Sequence, residues 1–436
     1  MKIKKNNSKR VVVTGIGPLS SIGVGKIDFW NSILAKKTII SKEEYRIDGD
    51  VWDEFLFHKV NKFDINSFGI DKAVLNEISV WKENEEVVDL FYLMAAAKLA
   101  LDDSGFIFDR EKNDISLVLA HENPGLDQFA EKAFSISYEI LKRKNLTKME
   151  FFKQAYAASF KSVYDLQTFM FLFHIGKALG THGCSLFLNN ACASGLYALE
   201  VASMLIKNNK TALSIVAAAD HPDIFKYLWF KKNNMYAQDG KIKPFSENAN
   251  GFVFGDGGCG IVLEELMHAK KRKAEIYAEY LGGSFVSEGW KVSLPAVGSK
   301  FYEEAISAAL KTANVKPGEV DVVIPHGVGL KISDRYEANA LNTIFGSKNK
   351  CPIFSAFKPY IGHNLGGSSL LETAILLLAM KHKLLPSTLN CDEISRNVPI
   401  GILRDKALHM RINTALKTSA AFAGFDAAII LKRFEQ

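Results

Sequence analysis

A layered α/β protein built from two related halves is the architecture that this 436-residue sequence predicts. Three observations carry the expectation. Short β-branched runs alternate with longer apolar helical patterns along most of the chain, a strand-to-helix turn crowded with small residues occurs twice, and the length suits two or three domains, or one large two-part unit, at about 150 residues each. Alternation of this kind implies mostly parallel sheets covered on both faces.

The first strand signal is Val11-Val12-Val13-Thr14-Gly15, a β-branched run that reads as a strand meeting a tight turn. Comparable runs occupy 115–120, 186–190, 212–219, 260–263, 276–280, 320–325 and 428–431. Helical periodicity fills 87–103, 195–207, 301–312, 334–345 and 366–382. The two echoing turns are Ala191-Cys192-Ala193-Ser194-Gly195 and Gly362-His363-Asn364-Leu365-Gly366-Gly367-Ser368-Ser369, each placing small residues at the start of an apolar helix. Small residues there let other backbone approach a helix buried all round. The division falls near residue 265, giving halves 1–265 and 266–436. An insertion around 125–180 carries aromatic and basic segments such as Phe169-Met170-Phe171-Leu172-Phe173 and reads as irregular helices packing on something apolar, a second subunit or a long substrate.

Composition narrows the class. Apolar residues make up 48% and charged residues 23%, with Gly 31 and Pro 11, so collagen-like and low-complexity chains are excluded. Lys+Arg 54 against Asp+Glu 48 gives +6 without a polybasic arm, which argues against nucleic acid as a partner. Five scattered cysteines form neither a disulfide framework nor a metal-binding spacing, which fits a reducing cytoplasm. The basic start lacks an apolar segment and cleavage site of signal-peptide type, and no apolar run reaches the ~18 residues of a membrane span.

Cys192 is the first chemical candidate. A buried cysteine is ordinarily a small hydrophobe, but one at a strand-to-helix turn faces helix N-terminal N–H groups, which favour a thiolate. His326 follows the strand at 320–325 and opens His326-Gly327-Val328-Gly329-Leu330, presenting an imidazole beside glycines. His363 stands at the second small-residue helix start. Each histidine alone would usually be a structural hydrogen-bonder; three reactive groups at three strand ends are harder to explain that way. Lys358 and Glu372 flank His363 as a candidate buried ion pair. Gly15-Ile16-Gly17-Pro18 only begins a dinucleotide fingerprint and reads as a structural turn. Lys270-Lys271-Arg272-Lys273 reads as a solvated helix end.

These residues together resemble the elongating, decarboxylating β-ketoacyl-[acyl-carrier-protein] synthases of the thiolase superfamily. The likeness runs from Val11 to the C-terminus through Ala191-Cys192-Ala193-Ser194-Gly195, Pro244-Phe245, the stretch from Gly251 to Gly257, His326-Gly327 with Asp334 and Glu337, and Lys358 to Gly362-His363 with Glu372. It implies a thiolase fold of two similar βαβαβ-type halves in five α-β-α-β-α layers. It further implies a homodimeric, cytoplasmic enzyme with no permanently bound cofactor and no metal, whose partner, acyl carrier protein, delivers a phosphopantetheine arm. Cys192 would carry the acyl group; His326 and His363 would assist decarboxylation of the malonyl unit, with Lys358 and Glu372 as charged support beneath them. Phe422 would gate the acyl pocket and complete the oxyanion hole, and Lys231 and Lys232 would dock the carrier.

The sequence departs from that family at the pantetheine channel, where Val328 and Leu330 replace two threonines, and in the gating loop Ala420-Ala421-Phe422-Ala423-Gly424-Phe425-Asp426, which has alanines where glycines are usual. Asn123 occupies a position where pocket-lining apolar residues are usual. The alternative these departures keep open is a chain-length-determining or weakly catalytic subunit of a heterodimer, which the intact Cys192 opposes. A thiolase or priming-type synthase is opposed by the second histidine.

Overall fold

Strand pleating sorts the side chains of this protein among three cores. The computed structural model describes residues 9–47, 49–78, 88–107, 114–122, 126–143, 146–165, 167–296, 298, 300–346 and 351–435. Among the described residues the central sheet has eleven strands, the two-residue strand Gly23–Val24 pairing beside the first and the other ten forming its main path: β1 (Val11–Ser20), β2 (Ser116–Ala120), β3 (Ser185–Leu188), β4 (Leu213–Asp220), β5 (Gly257–Glu265), β6 (Ala278–Ser287), β7 (Val322–Ile324), β8 (Ile353–Phe354), β9 (Thr414–Ala421) and β10 (Phe425–Lys432). The principal helices are α1 (Val88–Asp103), α2 (Leu126–Leu141), α3 (Lys148–Asp165), α4 (Thr168–Leu179), α5 (Ser194–Lys207), α6 (Ile224–Lys232), α7 (Phe301–Thr312), α8 (Lys331–Phe345) and α9 (Ser368–His382).

The strands lie in the order β8-β7-β9-β10-β6-β1-β5-β4-β2-β3. Followed outward from the centre, each half takes the same path, β1-β5-β4-β2-β3 on one side and β6-β10-β9-β7-β8 on the other. The halves meet where β1 and β6 pair antiparallel from Val11↔Tyr280 to Val13↔Ala278. Successive residues then diverge by pleat. Val118, Val216 and Ile261 join Val322, Ile324 and Ile429 in a central core around α5 and α9. Leu117, Ile215 and Val262 face α1 and α4, while Val323, Ala428 and Ile430 face α7 and α8. The result is five layers, helix, sheet, helix, sheet, helix, as the resemblance implied.

Three expectations need correction. The sheet is mixed: β2 is parallel to β3 and β4, and β7 to β8 and β9, but β5 runs antiparallel to β1 and β4 and β10 antiparallel to β6 and β9. The reason is that β5 and β10 return between neighbours running the other way. Gly15 does not end the first strand, which continues to Ser20 past a bulge between Val13 and Gly15. Its glycines serve packing instead, since a Cβ on Gly17 would lie 2.3 Å from the Ala96 carbonyl oxygen of α1. The insertion around 125–180 forms three regular helices, α2 to α4, exposing Phe134, Tyr138, Phe152 and Tyr156. Among the described residues no helix is long and apolar enough to cross a membrane, and none of their His, Cys, Asp and Glu side chains form a metal-binding cluster.

Candidate active site

The turn between β3 and α5 carries Cys192, which is 2% exposed. Ala191 before it adopts φ 49°, a left-handed conformation costing a non-glycine residue about 1–2 kcal/mol. Ser194 stabilises the turn by accepting from Asn190 N–H at 2.7 Å and donating to the Ala191 carbonyl at 2.6 Å. A Cβ on Gly195 would fall 2.6 Å from Ser369 Oγ, so the two small-residue turns press the starts of α5 and α9 together.

His326 is held by the two carboxylates the motifs singled out. Glu337 accepts from the N–H groups of His326 and Gly327 at 2.6 and 2.8 Å. Asp334 accepts from Val328 and Gly329 at 3.1 Å each and from Phe245 at 2.7 Å. Four successive N–H groups of the loop are thereby fixed, and Gly327 (φ 49°) and Gly329 (φ 81°) supply the left-handed backbone it needs. Burial raises the Asp334 carboxyl to about 7, against these donors.

Lys358 Nζ donates to the His326 carbonyl oxygen at 2.6 Å and lies 3.3 Å from His326 Nδ1. An ammonium can only donate, so Nδ1 accepts and the ring proton belongs on Nε2. Glu372 faces Lys358 at 3.1 Å through both oxygens and also receives Lys417 at 2.8 Å. All three side chains are fully buried. His363 Nδ1 pairs with Ser368 Oγ at 2.8 Å, and its ring meets that of His326 edge-on with centroids 5.5 Å apart. Burial, reinforced by Lys358, drives both imidazoles well below their usual range, so both are neutral at ordinary pH.

Cys192, His326, His363 and Phe422 line one cleft with Val328 and Leu330. The Phe422 ring lies 5.2 Å from Phe230 and 5.8 Å from Trp229, both on α6. Ala423 takes φ 61°, so the alanine in the gating loop does adopt a glycine-like conformation. The apolar Val328 and Leu330 share the cleft with polar groups the sequence did not point to, since Ser293, Glu288, Ser333 and Asp426 line it too.

Known proteins match this chain over nearly its whole length. Residues 8–269 match the family described as "Beta-ketoacyl synthase, N-terminal domain", and residues 277–392 its C-terminal counterpart. The chain belongs to the β-ketoacyl synthase family. It is 26% identical to the 3-oxoacyl-[acyl-carrier-protein] synthase 2 of Coxiella burnetii, over 98% of this chain and 99% of that one. Among solved structures, the ishigamide ketosynthase/chain length factor superposes with a TM-score of 0.83 at 22% identity, covering 98% and 100% of the two chains. A type II polyketide acyl-carrier protein in complex with its hexaketide-bound ketosynthase gives 0.81 at 23%, with the same coverage. These two likenesses show the fold. As a β-ketoacyl synthase the protein is an acyl-transferring condensing enzyme, the reaction class its motifs implied.

Two findings qualify the sequence reading, and one expectation goes untested. Cys192 is not poised as a thiolate: burial, then the neighbouring Glu122 charge, push its thiol well up, and Lys358 offsets this only in part. Lys231 is engaged by Asp53 at 2.8 Å, whereas Lys232 is exposed at the end of α6. Asn123 lies outside the described residues. Sequence reasoning missed Lys417, whose only signal was a lysine inside an otherwise small and apolar run. It also missed Ser419, which donates to the Cys192 carbonyl at 3.2 Å and lies 3.4 Å from His326 Nδ1. The third omission was Glu122, next to the asparagine it had singled out.

Proposed function

We propose that this synthase transfers an acyl group from a carrier-bound pantetheine thioester to Cys192 and condenses it with malonyl-acyl-carrier protein, giving a 3-oxoacyl-carrier protein and carbon dioxide. The observation that carries the reading is one cleft lined by Cys192, His326 and His363, with Phe422 at its wall. The malonyl C–CO₂ bond breaks, its electrons form an enolate, and the enolate carbon attacks the Cys192 thioester, expelling the cysteine sulfur. Neutral imidazoles suit that chemistry, because Nε2–H of His326 and the ring of His363 can donate to the thioester oxygen where negative charge develops. Lys358 enforces the required tautomer, and Glu372 holds Lys358. Asp334 and Glu337 keep the His326 loop from moving as charge appears. The backbone N–H groups of Cys192 and Phe422 serve the tetrahedral intermediate.

The carrier brings the phosphopantetheine arm, and no resident cofactor is required for these steps. With Val328 and Leu330 in place of the two threonines, the arm is held through other groups of the cleft, and the acyl group is of specialised type in fatty acid, lipid or polyketide synthesis. The enzyme acts in the cytoplasm as a homodimer, with the exposed Lys232 and its neighbour Lys231 receiving the acidic carrier. A heterodimer with a chain-length-determining subunit is the second reading, favoured by the missing threonines. Intact-protein mass spectrometry after incubation with a panel of acyl-carrier proteins tests the proposal: Cys192 should gain the acyl mass, and Cys192→Ala should not. An acyl adduct that persists in Cys192→Ala would refute the assignment.

A further inference from the structure

Cys192 poses a chemical problem that the two histidines do not solve. Its thiol is buried and holds its proton, yet only the sulfur anion attacks a thioester effectively. The imidazoles are poor acceptors, since Lys358 donates toward His326 Nδ1 and Ser368 engages His363 Nδ1, and the lysine charge disfavours a further proton on either ring. The hydrogen bond that Cys192 Sγ makes runs instead to Glu122 Oε1, at 3.7 Å.

Glu122 is held for that contact from two sides. Its N–H donates to Asp220 Oδ1 at 3.2 Å, and its carbonyl oxygen accepts from Asn189 Nδ2, in the turn that carries Cys192. Behind it lies a buried charged group: His121 Nε2 is 3.0 Å from Asp89 and 3.4 Å from Asp220, while Lys226 of α6 is 3.9 Å from Asp220 and 3.3 Å from Asp223.

We propose that Glu122 is the general base for acyl loading, taking the Cys192 thiol proton as the sulfur attacks the incoming thioester. This rests on the reading of Cys192 as the acyl carrier residue. The Sγ–C bond forms, the pantetheine C–S bond breaks, and the proton passes from Sγ to the Glu122 carboxylate and on to the departing pantetheine sulfur. No oxidant, metal or co-reactant enters. The surroundings of Glu122 suit a proton shuttle, because burial and the charge of Asp220 raise its carboxyl while Lys226 and His121 restrain the rise. A carboxylate moved toward neutrality holds a proton better than an ordinary one while remaining able to release it. Because the base works only when ionised, loading should accelerate as pH rises through the Glu122 titration and then level off.

Glu122→Gln keeps the shape and removes the basicity. In single-turnover loading followed by quench and intact mass, the variant should load about 100-fold more slowly and lose the pH rise. Alkylation of Cys192 by iodoacetamide, which expels iodide and so needs no proton returned to its leaving group, should stay the same or quicken, because a negative charge beside the sulfur has gone. Loading at the wild-type rate, or both reactions slowed together, or both quickened, would overturn the proposal. So would a flat pH profile for loading in the wild-type protein, an observation that does not depend on the variant folding. Should wild-type Cys192 take no acyl group from any carrier, the parent reading fails and this one with it; normal wild-type loading with an indifferent Glu122→Gln defeats this inference alone.

Discussion

Replacing Lys417 with methionine should change how the stability of this protein depends on pH. Lys417 and Lys358 share the carboxylate of Glu372 in a site sealed from water. Two cations on one anion leave an excess positive charge in the interior, and burial followed by Lys358 brings the Lys417 ammonium down from 10.5 to about 8 despite Glu372. At 1.36 kcal/mol per unit, holding that proton in the folded state costs roughly 3 kcal/mol relative to the unfolded chain. The penalty is fully present below pH 8. It disappears as pH climbs from about 8 toward 10.5, where the unfolded chain still binds the proton and the native one has released it, so this group makes stability rise with pH. Lys417→Met removes the term while leaving Glu372 paired with Lys358. The variant loses the contacts to the carbonyl oxygens of Pro325 and Thr418 at 3.3 and 2.8 Å, a loss that leaves the pH slope alone. Urea unfolding of both proteins between about pH 7.5 and 9.5 isolates the effect, with unchanged m-values confirming comparable unfolding. Wild type should gain on the variant by about 2 kcal/mol across that window. Parallel curves, or a difference running the other way, would refute the reasoning.

Two further outcomes follow from the site. His363→Ala should still load acyl groups onto Cys192 but lose condensation by about 100-fold or more, the scale of one oxyanion donor; equal loss in both half-reactions, measured by mass spectrometry and by carbon dioxide release, would contradict separate roles. Lys232→Glu should weaken binding of an acidic carrier protein more than Lys231→Glu, since Lys231 is already paired with Asp53, and calorimetry should show the difference shrinking as salt rises; equal effects would show that the Asp53 pair opens on docking.

The legible parts of this protein were those with a local signature. Apolar character from Leu370 to Met380, interrupted by Glu372 and Thr373, marked α9 as a helix buried all round, and its burial is complete over that span. Cys192 and His326 were readable because each stands among small residues just past a strand; His363 was readable from the small residues that open α9, although it follows the short helix Lys358–Ile361 and not a strand end as expected. Strand direction was not, since no residue pattern tells a returning strand from one reached by crossover. β9 was overlooked because Thr-Ala-Leu-Lys-Thr-Ser-Ala-Ala lacks a β-branched run and holds a charge; its place comes from pairing with β10 and β7. The hairpin strands Ser41–Ile47 and Asp50–His58 were missed for a similar reason, being rich in charged residues. Glu122 and Lys417 acquire meaning only through partners brought close by the fold, Cys192 in one case and Glu372 in the other.

The shared central core has a consequence for biosynthesis. α5 from the first half and α9 from the second pack in one cluster, each covering surface the other would leave bare. A nascent chain that has emerged only through α5 already carries its nucleophile, but it has neither imidazole nor α9. Such an intermediate exposes a large apolar face until α9 arrives, and it cannot condense anything. Long-range closure of this kind is slow and leaves time for aggregation. The first half therefore completes its core only when the last 70 or so residues dock, and the yield of folded protein should track how quickly they do so.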